Sequence, residues 1–209
     1  MPTLTGLAPD PHRLEYRLVE VDRGRFASLP LDALAPLGLV VGTPLSIAML
    51  DRLRELADVE AAARAALRAL ARRAHARQDL RRRLVQKQHP PPAVDRALAR
   101  LAAQGLLDDR RFAREYAAAR AARGRGPHRI VSDLLAQGVD RRTAETAVAA
   151  APALEGVDPE QAARSVAEKR ARQLVALPAA ARKRRLTAFL LRRGFAGSTV
   201  RGLVEELCG

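Results

Sequence analysis

The chain has 209 residues, and its 48% apolar content excludes a disordered protein while leaving room for one or two ordinary domains. It carries 37 basic and 23 acidic residues, and arginine supplies 34 of the basic ones. Because arginine suits the planar recognition of phosphate and carboxylate groups, the composition predicts an acidic partner, with nucleic acid foremost.

Cysteine content and hydropathy exclude two further classes of protein. Cys208 is the only cysteine, so a disulfide framework is excluded, as is usual in a reducing compartment. No stretch approaches the roughly 20 apolar residues that a membrane-spanning helix needs, and the N-terminus lacks a basic segment followed by an apolar one. We therefore expect a soluble, cytoplasmic protein.

The charge is unevenly distributed along the chain. Residues 1–58 contain 6 basic and 8 acidic side chains, which leaves 31 basic and 15 acidic side chains for residues 59–209. The surface that meets an acidic partner is therefore expected in the second part of the chain.

The first 57 residues predict a small extension with short β-strands. Residues 1–12 contain three prolines and no periodicity, so we expect a loose lead-in. Apolar and polar residues partly alternate from Arg13 to Leu29, which predicts a hairpin that turns at residues 22–24. A helical turn is expected at Leu31–Leu39 and another short strand at Leu39–Pro44. An isolated hairpin is marginally stable, so it should pack on the helix that follows.

Helix signals dominate from Ser46 onward. Residues 47–56 predict one helix, and Asp58 is placed to cap the next one. Residues 59–209 show almost no β-branched alternation, and glycine or proline interrupts them at helix-length intervals. We therefore expect this part of the chain to be entirely helical.

The helical part contains an internal repeat. Residues 79–101, 129–151 and 185–207 align without gaps, and their apolar residues recur at i, i+4 and i+5, as in a helix followed by a turn and a second helix. One more helix precedes each segment, at about residues 60–76, 110–123 and 159–175. The aligned sets are Leu80, Ile130, Leu186; Leu84, Leu134, Leu190; Val85, Leu135, Leu191; Leu98, Val148, Val204; and Gln88, Gly138, Gly194.

This repeat predicts a mainly α fold. Three tandem three-helix, helix-turn-helix-like repeats would stack in an elongated, curved array. The small extension with its β-hairpin would precede them. The expected limits are residues 1–57 for the extension and residues 58–109, 110–152 and 158–209 for the three repeats.

The central passage, residues 104–130, carries start and stop signals for one helix. Asp108 is placed to cap it, and Gly124 and Gly126 mark its end before Pro127 begins another helix. Arg120 follows Phe112 and Tyr116 on one face, where a core helix would carry an apolar residue. This arginine suggests a working surface.

The central passage resembles the RecX family of regulators of the RecA recombinase, and the resemblance covers about residues 62–207. The first repeat agrees with the family in Arg72-Arg73-Ala74-His75 and Asp79-Leu80, and the third in Phe189-Leu190-Leu191 and Arg193-Gly194-Phe195. Three departures stand out. Ala76 replaces a frequent capping serine, so this helix start is expected to be less well capped; His89-Pro90-Pro91-Pro92 replaces a glycine-containing turn; and residues 1–57 exceed the short family members, although they resemble the small β-rich extension of longer ones. The matching central residues are Gly105, Leu107, Asp108, Asp109, Arg111, Phe112, Arg120, Gly124, Gly126, Pro127, Ile130, Leu134 and Gly138.

The resemblance implies a protein that is not an enzyme. Such proteins bind the RecA nucleoprotein filament, lodge in its helical groove and limit filament extension, strand exchange, ATP hydrolysis and repressor cleavage. They also bind single-stranded and double-stranded DNA. Composition and repeats independently predict the positive charge and the elongated shape that such a partner requires. RecA itself is named by the resemblance alone.

Three groups of charged residues are candidates for the partner surface. In the central group, three roles are open for Asp108 and Asp109: capping a helix, contacting a partner, or acting as an acid/base pair. Two roles are open for the arginines: contact with RecA or DNA, or a solvated helix face on which one arginine stacks on Tyr116. The second and third groups are candidates for DNA, although some members serve solubility. The central group is Asp108, Asp109, Arg111, Arg114, Arg120, Arg123, Arg125 and Arg129; the second is Arg72, Arg73, Arg77, Arg81, Arg82 and Arg83; the third is Arg182, Lys183, Arg184, Arg185, Arg192 and Arg193.

The remaining sequence signals concern the manner of binding. Aromatic residues amount to 3%, too few for base-stacking platforms, so DNA binding is expected to be driven by phosphates, sensitive to salt and weakly sequence-specific. We expect no metal site and no cofactor, since the four histidines lack ligand spacing and no phosphate-binding loop motif occurs. The alternative function is a helix-turn-helix transcription regulator or architectural DNA-binding protein, but three unequal repeats favour a monomer over a palindromic dimer.

Overall fold

The computed structural model describes residues 1–155, 159–195 and 197–209. The chain forms two compact units. Unit 1 consists of residues 1–73 and 80–107, and unit 2 consists of residues 74–79 and 108–209. No helix within the described ranges combines the length and the apolar character that crossing a membrane requires.

Unit 1 begins with a three-stranded antiparallel sheet in the order β1-β2-β3. The predicted hairpin is confirmed, and Asp22 and Arg23 form its turn with φ of 51° and 62°. The loose lead-in was a wrong expectation, because most of it forms β1. Pro9 is tolerated there since β1 is an edge strand, which needs fewer backbone N–H donors. The strands are β1 (Leu4–Asp10), β2 (Arg13–Val21) and β3 (Gly24–Pro30).

A short connection leads from the sheet to the first long helix. Helix α1 (Leu31–Leu34) and a 3₁₀ turn (Ala35–Leu37) confirm the predicted helical turn. The strand expected at residues 39–44 is wrong, since only an isolated bridge joins Thr3 and Pro44. Leu39 packs against the core of the sheet, but Val40 and Val41 are both exposed, so the stretch lacks the alternation of buried and exposed side chains that a paired strand has.

Helix α2 (Ile47–Leu70) is one continuous element that connects the sheet with the first repeat. The Ser46 hydroxyl accepts the N–H of Met49 at 3.1 Å and caps its start. Asp58 does not cap a new helix, because strong helix formers lie on both sides of it and one buried face continues along α2. The predicted limit between residues 57 and 58 lies inside this helix. Residues 47–57 pack against the sheet, which confirms the expected support for the hairpin.

A buried carboxylate links the sheet to the first repeat. Glu60 is only 2% exposed and accepts hydrogen bonds from the Arg100 guanidinium at 2.5 Å and the Tyr16 hydroxyl at 3.1 Å. The guanidinium of Arg13 lies 3.8 Å from the same carboxylate and 3.3 Å from the centroid of the Tyr16 ring. Burial raises the pKa of Tyr16, and the Glu60 carboxylate raises it further.

The helices confirm the predicted plan of three three-helix repeats. The first repeat consists of three helices: the second half of α2, then all of α3 and all of α4. Helix α2 ends at Leu70, whereas the prediction placed the end of this helix near residue 76. The second consists of α5, α6 and α7, and the third of α8, α9 and α10, each with its own apolar core. The helices are α3 (Arg77–Gln86), α4 (Pro91–Ala103), α5 (Asp109–Ala121), α6 (Pro127–Ala136), α7 (Arg141–Glu155), α8 (Pro159–Gln173), α9 (Ala179–Arg193) and α10 (Gly197–Cys208).

The register of the aligned repeats separates core positions from marginal ones. Residues at the first two aligned apolar positions are at most 2% exposed, whereas Leu191 at the third position is 52% exposed. Each middle helix then ends on a residue in the left-handed conformation, which confirms that the aligned glycines close helices. The residues and φ values are Gln88 (66°), Gly138 (87°) and Gly194 (90°).

Candidate nucleic-acid interface

The central group begins with the helix cap predicted at Asp108. Its carboxylate accepts the backbone N–H groups of Arg110 at 2.8 Å and Arg111 at 3.1 Å, which confirms the capping interpretation. The Arg111 N–H, followed by that of Arg110, holds the pKa of Asp108 below its usual value. Asp108 therefore stays ionised at neutral pH and fixes the start of α5.

Asp109 caps a different helix. Its carboxylate accepts the N–H of Arg77 at 2.7 Å, at the first residue of α3. Ala76 has no side-chain oxygen with which to cap that helix. The expectation that this helix start is less well capped is therefore corrected, because a residue 32 positions further along the chain supplies the missing acceptor.

The central arginines have different surroundings. The guanidinium of Arg120 lies 4.8 Å from the centroid of the Tyr116 ring, as one interpretation of this group predicts. Arg129 forms an ion pair with Asp133 at 2.9 Å, and Arg111 lies 4.0 Å from Glu115. These contacts are on the protein surface, where single ion pairs contribute about 0–1 kcal/mol to stability.

Arg114 lines a groove between α5 and α7. Arg110 and Arg142 contribute two more cations to it, and the groove has a volume of about 560 Å³. Asp140 also lines the groove, and its carboxylate accepts the N–H of Thr143 at 2.9 Å. This hydrogen bond lowers the pKa of Asp140. Arg114 is among the predicted site residues, whereas Arg110 and Arg142 are not.

The second group is mainly exposed. Arg81 is the exception: its guanidinium donates two hydrogen bonds to the Asp95 carboxylate, at 2.6 and 3.0 Å, and joins α3 to α4. Arg81 therefore already has a carboxylate partner inside unit 1. The exposed members are Arg72, Arg73, Arg77, Arg82 and Arg83.

The third group divides in the same way. Arg193 is half-buried, and its guanidinium donates to the backbone oxygens of Arg123 at 3.3 Å and Gly124 at 3.2 Å. Arg182 is also half-buried. The exposed members, all on α9, are Lys183, Arg184, Arg185 and Arg192.

Two predicted groups meet in one groove of unit 2, which we call the α5–α8–α9 groove. It has a volume of about 610 Å³ and is lined by Ala121–Gly124, by residues of α8 and by Phe189 and Arg193 of α9. Arg123 comes from the central group and Arg193 from the third group. Lys169 and Arg170 of α8 add two cations that are not among the predicted site residues. Their only sequence signal is the run Lys169-Arg170-Ala171-Arg172, which is common on solvated helices.

The two sides of this groove are connected by a close backbone contact. The N–H of Gly126 donates to the carbonyl oxygen of Arg193 at 2.8 Å, and the N–H of His128 donates to that of Gly194 at 3.2 Å. A Cβ atom on Gly126 would overlap the backbone of Gly194, and one on Gly194 would overlap Arg129. The glycines are required here because two backbones touch.

Metal ligation finds no support in the part of the chain that the structure describes. There, no group of three or more His, Cys, Asp or Glu side chains is arranged to hold a metal ion. Cys208 is buried in the core of the third repeat.

Family comparisons match all three repeats. The models of the first, second and third three-helix domains of RecX match residues 62–101, 108–148 and 158–204. The regulatory protein RecX of Halorhodospira halophila is 40% identical over 143 residues, which cover 68% of this chain and 85% of that protein. The regulatory protein RecX of Chlorobaculum tepidum is 37% identical over 145 residues, which cover 69% of this chain and 86% of that protein.

Solved structures share the fold. The crystal structure of a regulatory protein RecX covers 99% of this chain and 100% of its own, with a TM-score of 0.77 and 19% identity. The crystal structure of RecX from Lactobacillus salivarius covers 72% of this chain and 96% of its own, with a TM-score of 0.61 and 21% identity. The first of these similarities extends over the N-terminal sheet as well as the repeats.

Proposed function

The chain belongs to the RecX family of regulatory proteins, and from this premise we propose that it binds the RecA nucleoprotein filament and DNA in the cytoplasm and inhibits RecA. The inhibited activities would be filament extension, strand exchange, ATP hydrolysis and repressor cleavage. The protein would act by binding, without catalysing a reaction of its own.

The observation that carries this proposal is the presence of all three RecX domains in tandem on one chain. The charge supports it, because residues 59–209 hold 31 basic and 15 acidic side chains and a RecA filament contains the polyanion DNA. In this proposal the arginines of the central group contact RecA or DNA. Asp108 acts indirectly, since it fixes the start of α5, on which arginines of the central group lie, and Asp109 fixes the start of α3, which carries arginines of the second group.

Titration into preformed RecA filaments on single-stranded DNA tests the proposal. We expect ATP turnover by RecA to fall at protein concentrations near the stoichiometry of the filament. The titration should be repeated with free single-stranded DNA in excess, because a protein that only competes for DNA would lose its effect there. Inhibition that survives the excess DNA indicates binding to the filament itself.

Two results would contradict this function. One is unchanged ATP turnover at stoichiometric protein while DNA binding is intact. The other is a strong preference, by several kcal/mol, for particular duplex sequences in a selection experiment, which is typical of a transcription regulator.

A further inference from the structure

The α5–α8–α9 groove has an unusual charge composition. Four cations line it, Arg123, Lys169, Arg170 and Arg193, and none of the described residues that line it is acidic. By contrast, several arginines of unit 1, such as Arg81 and Arg100, bind carboxylates within the chain. We propose that this groove is a binding site for the phosphate backbone of DNA.

Two of the four cations are held in place by the protein. The guanidinium of Arg170 lies 5.5 Å and that of Arg193 lies 5.2 Å from the centroid of the same Phe189 ring. Since both distances end at one point, the two guanidinium carbons lie no more than 10.7 Å apart, the sum of the two. Along one strand of B-DNA the charges follow each other about every 3.4 Å of helix axis, so two guanidinium groups within this limit are close enough to contact phosphates a few nucleotides apart on one strand.

The fixed pair is ordered before any ligand arrives. Arg170 also donates to the Gln173 side chain at 2.8 Å, and Arg193 donates to the carbonyl oxygens of Arg123 and Gly124. The backbone carbonyl of Arg193 accepts the N–H of Gly126. Because these contacts hold the two arginines, a ligand would pay little of the entropy cost of ordering them.

The other two cations are exposed and available to a ligand. The side chains of Arg123 and Lys169 form no hydrogen bond or ion pair within the described residues. Each can therefore move toward a phosphate without breaking an internal contact. The groove thus combines two ordered guanidinium groups with two adaptable cations.

The lining favours DNA over an acidic protein segment. A nucleic-acid strand carries a negative charge on every unit, so it matches a row of four cations that no acid interrupts. Arginine binds phosphate through its planar guanidinium group, and both fixed guanidinium groups lie over the Phe189 ring, at 5.5 and 5.2 Å from its centroid. Sequence selectivity is not expected, because the contacts are made to phosphates.

The site rests on the proposed function in that both involve DNA, but its first test measures DNA binding in the absence of RecA. Binding of a fluorescently labelled 20-nucleotide oligothymidine is measured by anisotropy at several salt concentrations between 50 and 200 mM. The test protein is the full chain with Arg123→Gln and Lys169→Gln. We expect the slope of log K against log salt to become shallower by about 1.4, since each lost contact to single-stranded DNA removes about 0.7.

A charge-matched control isolates the groove from overall charge. The double variant Arg52→Gln and Arg96→Gln removes the same net charge, but both of these exposed arginines bind Glu55 in unit 1. We expect this control to keep the wild-type slope. Circular dichroism of both variants checks that they are folded, which is expected because all four substituted side chains are exposed.

Each outcome decides the proposal. A shallower slope for the groove variant alone supports it, and a parallel titration with a duplex shows whether the phosphates come from single-stranded DNA only or also from double-stranded DNA. An unchanged slope for the groove variant, or an equal change in the control, overturns it. DNA binding at wild-type strength with lost inhibition of RecA would also overturn it and assign the groove to an acidic protein segment. Inhibition of RecA by the wild-type protein is measured separately, so failure of the site and failure of the function are distinguishable.

Discussion

Arginine has opposite roles in two regions of the molecule. One is the Glu60 cluster of unit 1, formed by Arg13, Tyr16, Glu60 and Arg100, and the other is the α5–α8–α9 groove of unit 2. In the cluster, Arg13 and Arg100 surround a carboxylate that is only 2% exposed. In the groove, Arg170 and Arg193 contact an aromatic ring, an amide side chain and carbonyl oxygens, and no carboxylate is among the described residues that line it.

The difference shows that the partner of an arginine decides its role. An arginine whose charge is neutralised inside the protein mainly stabilises the fold, because its fork already has a carboxylate. An arginine held by neutral groups keeps its charge available to a ligand. The 34 arginines of this chain therefore cannot be treated as one binding surface. Three predictions test this comparison, from the largest expected effect to the smallest.

Loss of the Glu60 carboxylate should have the largest effect. Glu60→Ala leaves the Arg100 guanidinium and the Tyr16 hydroxyl without their buried acceptor, so we expect a loss of about 3–5 kcal/mol in the free energy of unfolding. Urea denaturation followed by circular dichroism measures it. The control is Glu55→Ala, because Glu55 also binds two arginines but is exposed, and a much smaller loss is expected. Equal losses for both variants would show that burial of Glu60 is unimportant.

Substitution of Gly194, at the close backbone contact beside the α5–α8–α9 groove, should have a smaller effect on stability. Residue 194 has a left-handed φ of 90°, and the Cβ added in Gly194→Ala would overlap Arg129. We therefore expect a loss of about 2–3 kcal/mol in the free energy of unfolding. Gly105→Ala is the matched control, since Gly105 has a φ of 70° but no atom within 4 Å of an added Cβ. The control should lose only the left-handed strain, about 1–2 kcal/mol. If Gly105→Ala is as unstable as Gly194→Ala in urea, the close backbone contact has no energetic importance.

The exposed cap at Asp108 should have the smallest effect and a defined pH dependence. Asp108→Ala is expected to cost about 1 kcal/mol, whereas Asp108→Asn keeps a capping oxygen and should cost less. Because folding lowers the pKa of Asp108 below 3.8, its stabilising contribution is complete above that pH and is lost as the pH falls through the folded-state pKa. The advantage of the wild type over Asp108→Asn should therefore be constant above about pH 5 and shrink as the pH falls below about 4, the ordinary pKa of an aspartate. A constant difference over this range would contradict the assignment.

Local patterns were sufficient for most of the helices and for the cap at the start of α5. The buried residues Leu80, Ile130 and Leu186 recur at helical spacing, and Asp108 is followed by the donors that it caps. Such signals act over a few residues, so they can be read without knowing the fold. The same local signals predict neither β1 nor the continuity of α2 through Asp58. A strand is stabilised by its neighbour, and a helix continues through a poor residue when one face is buried.

The sequence by itself determined the family, the three helical repeats, the excess of positive charge and the cap at Asp108. It also placed Arg123 and Arg193 in two separate basic runs, 70 residues apart. Only the tertiary structure brought these two residues to one groove, added Lys169 and Arg170, and gave Glu60 its partners 40 and 44 residues away. The physical reason is that the charge of a side chain is a local property, while the identity of its neighbours depends on how distant helices pack.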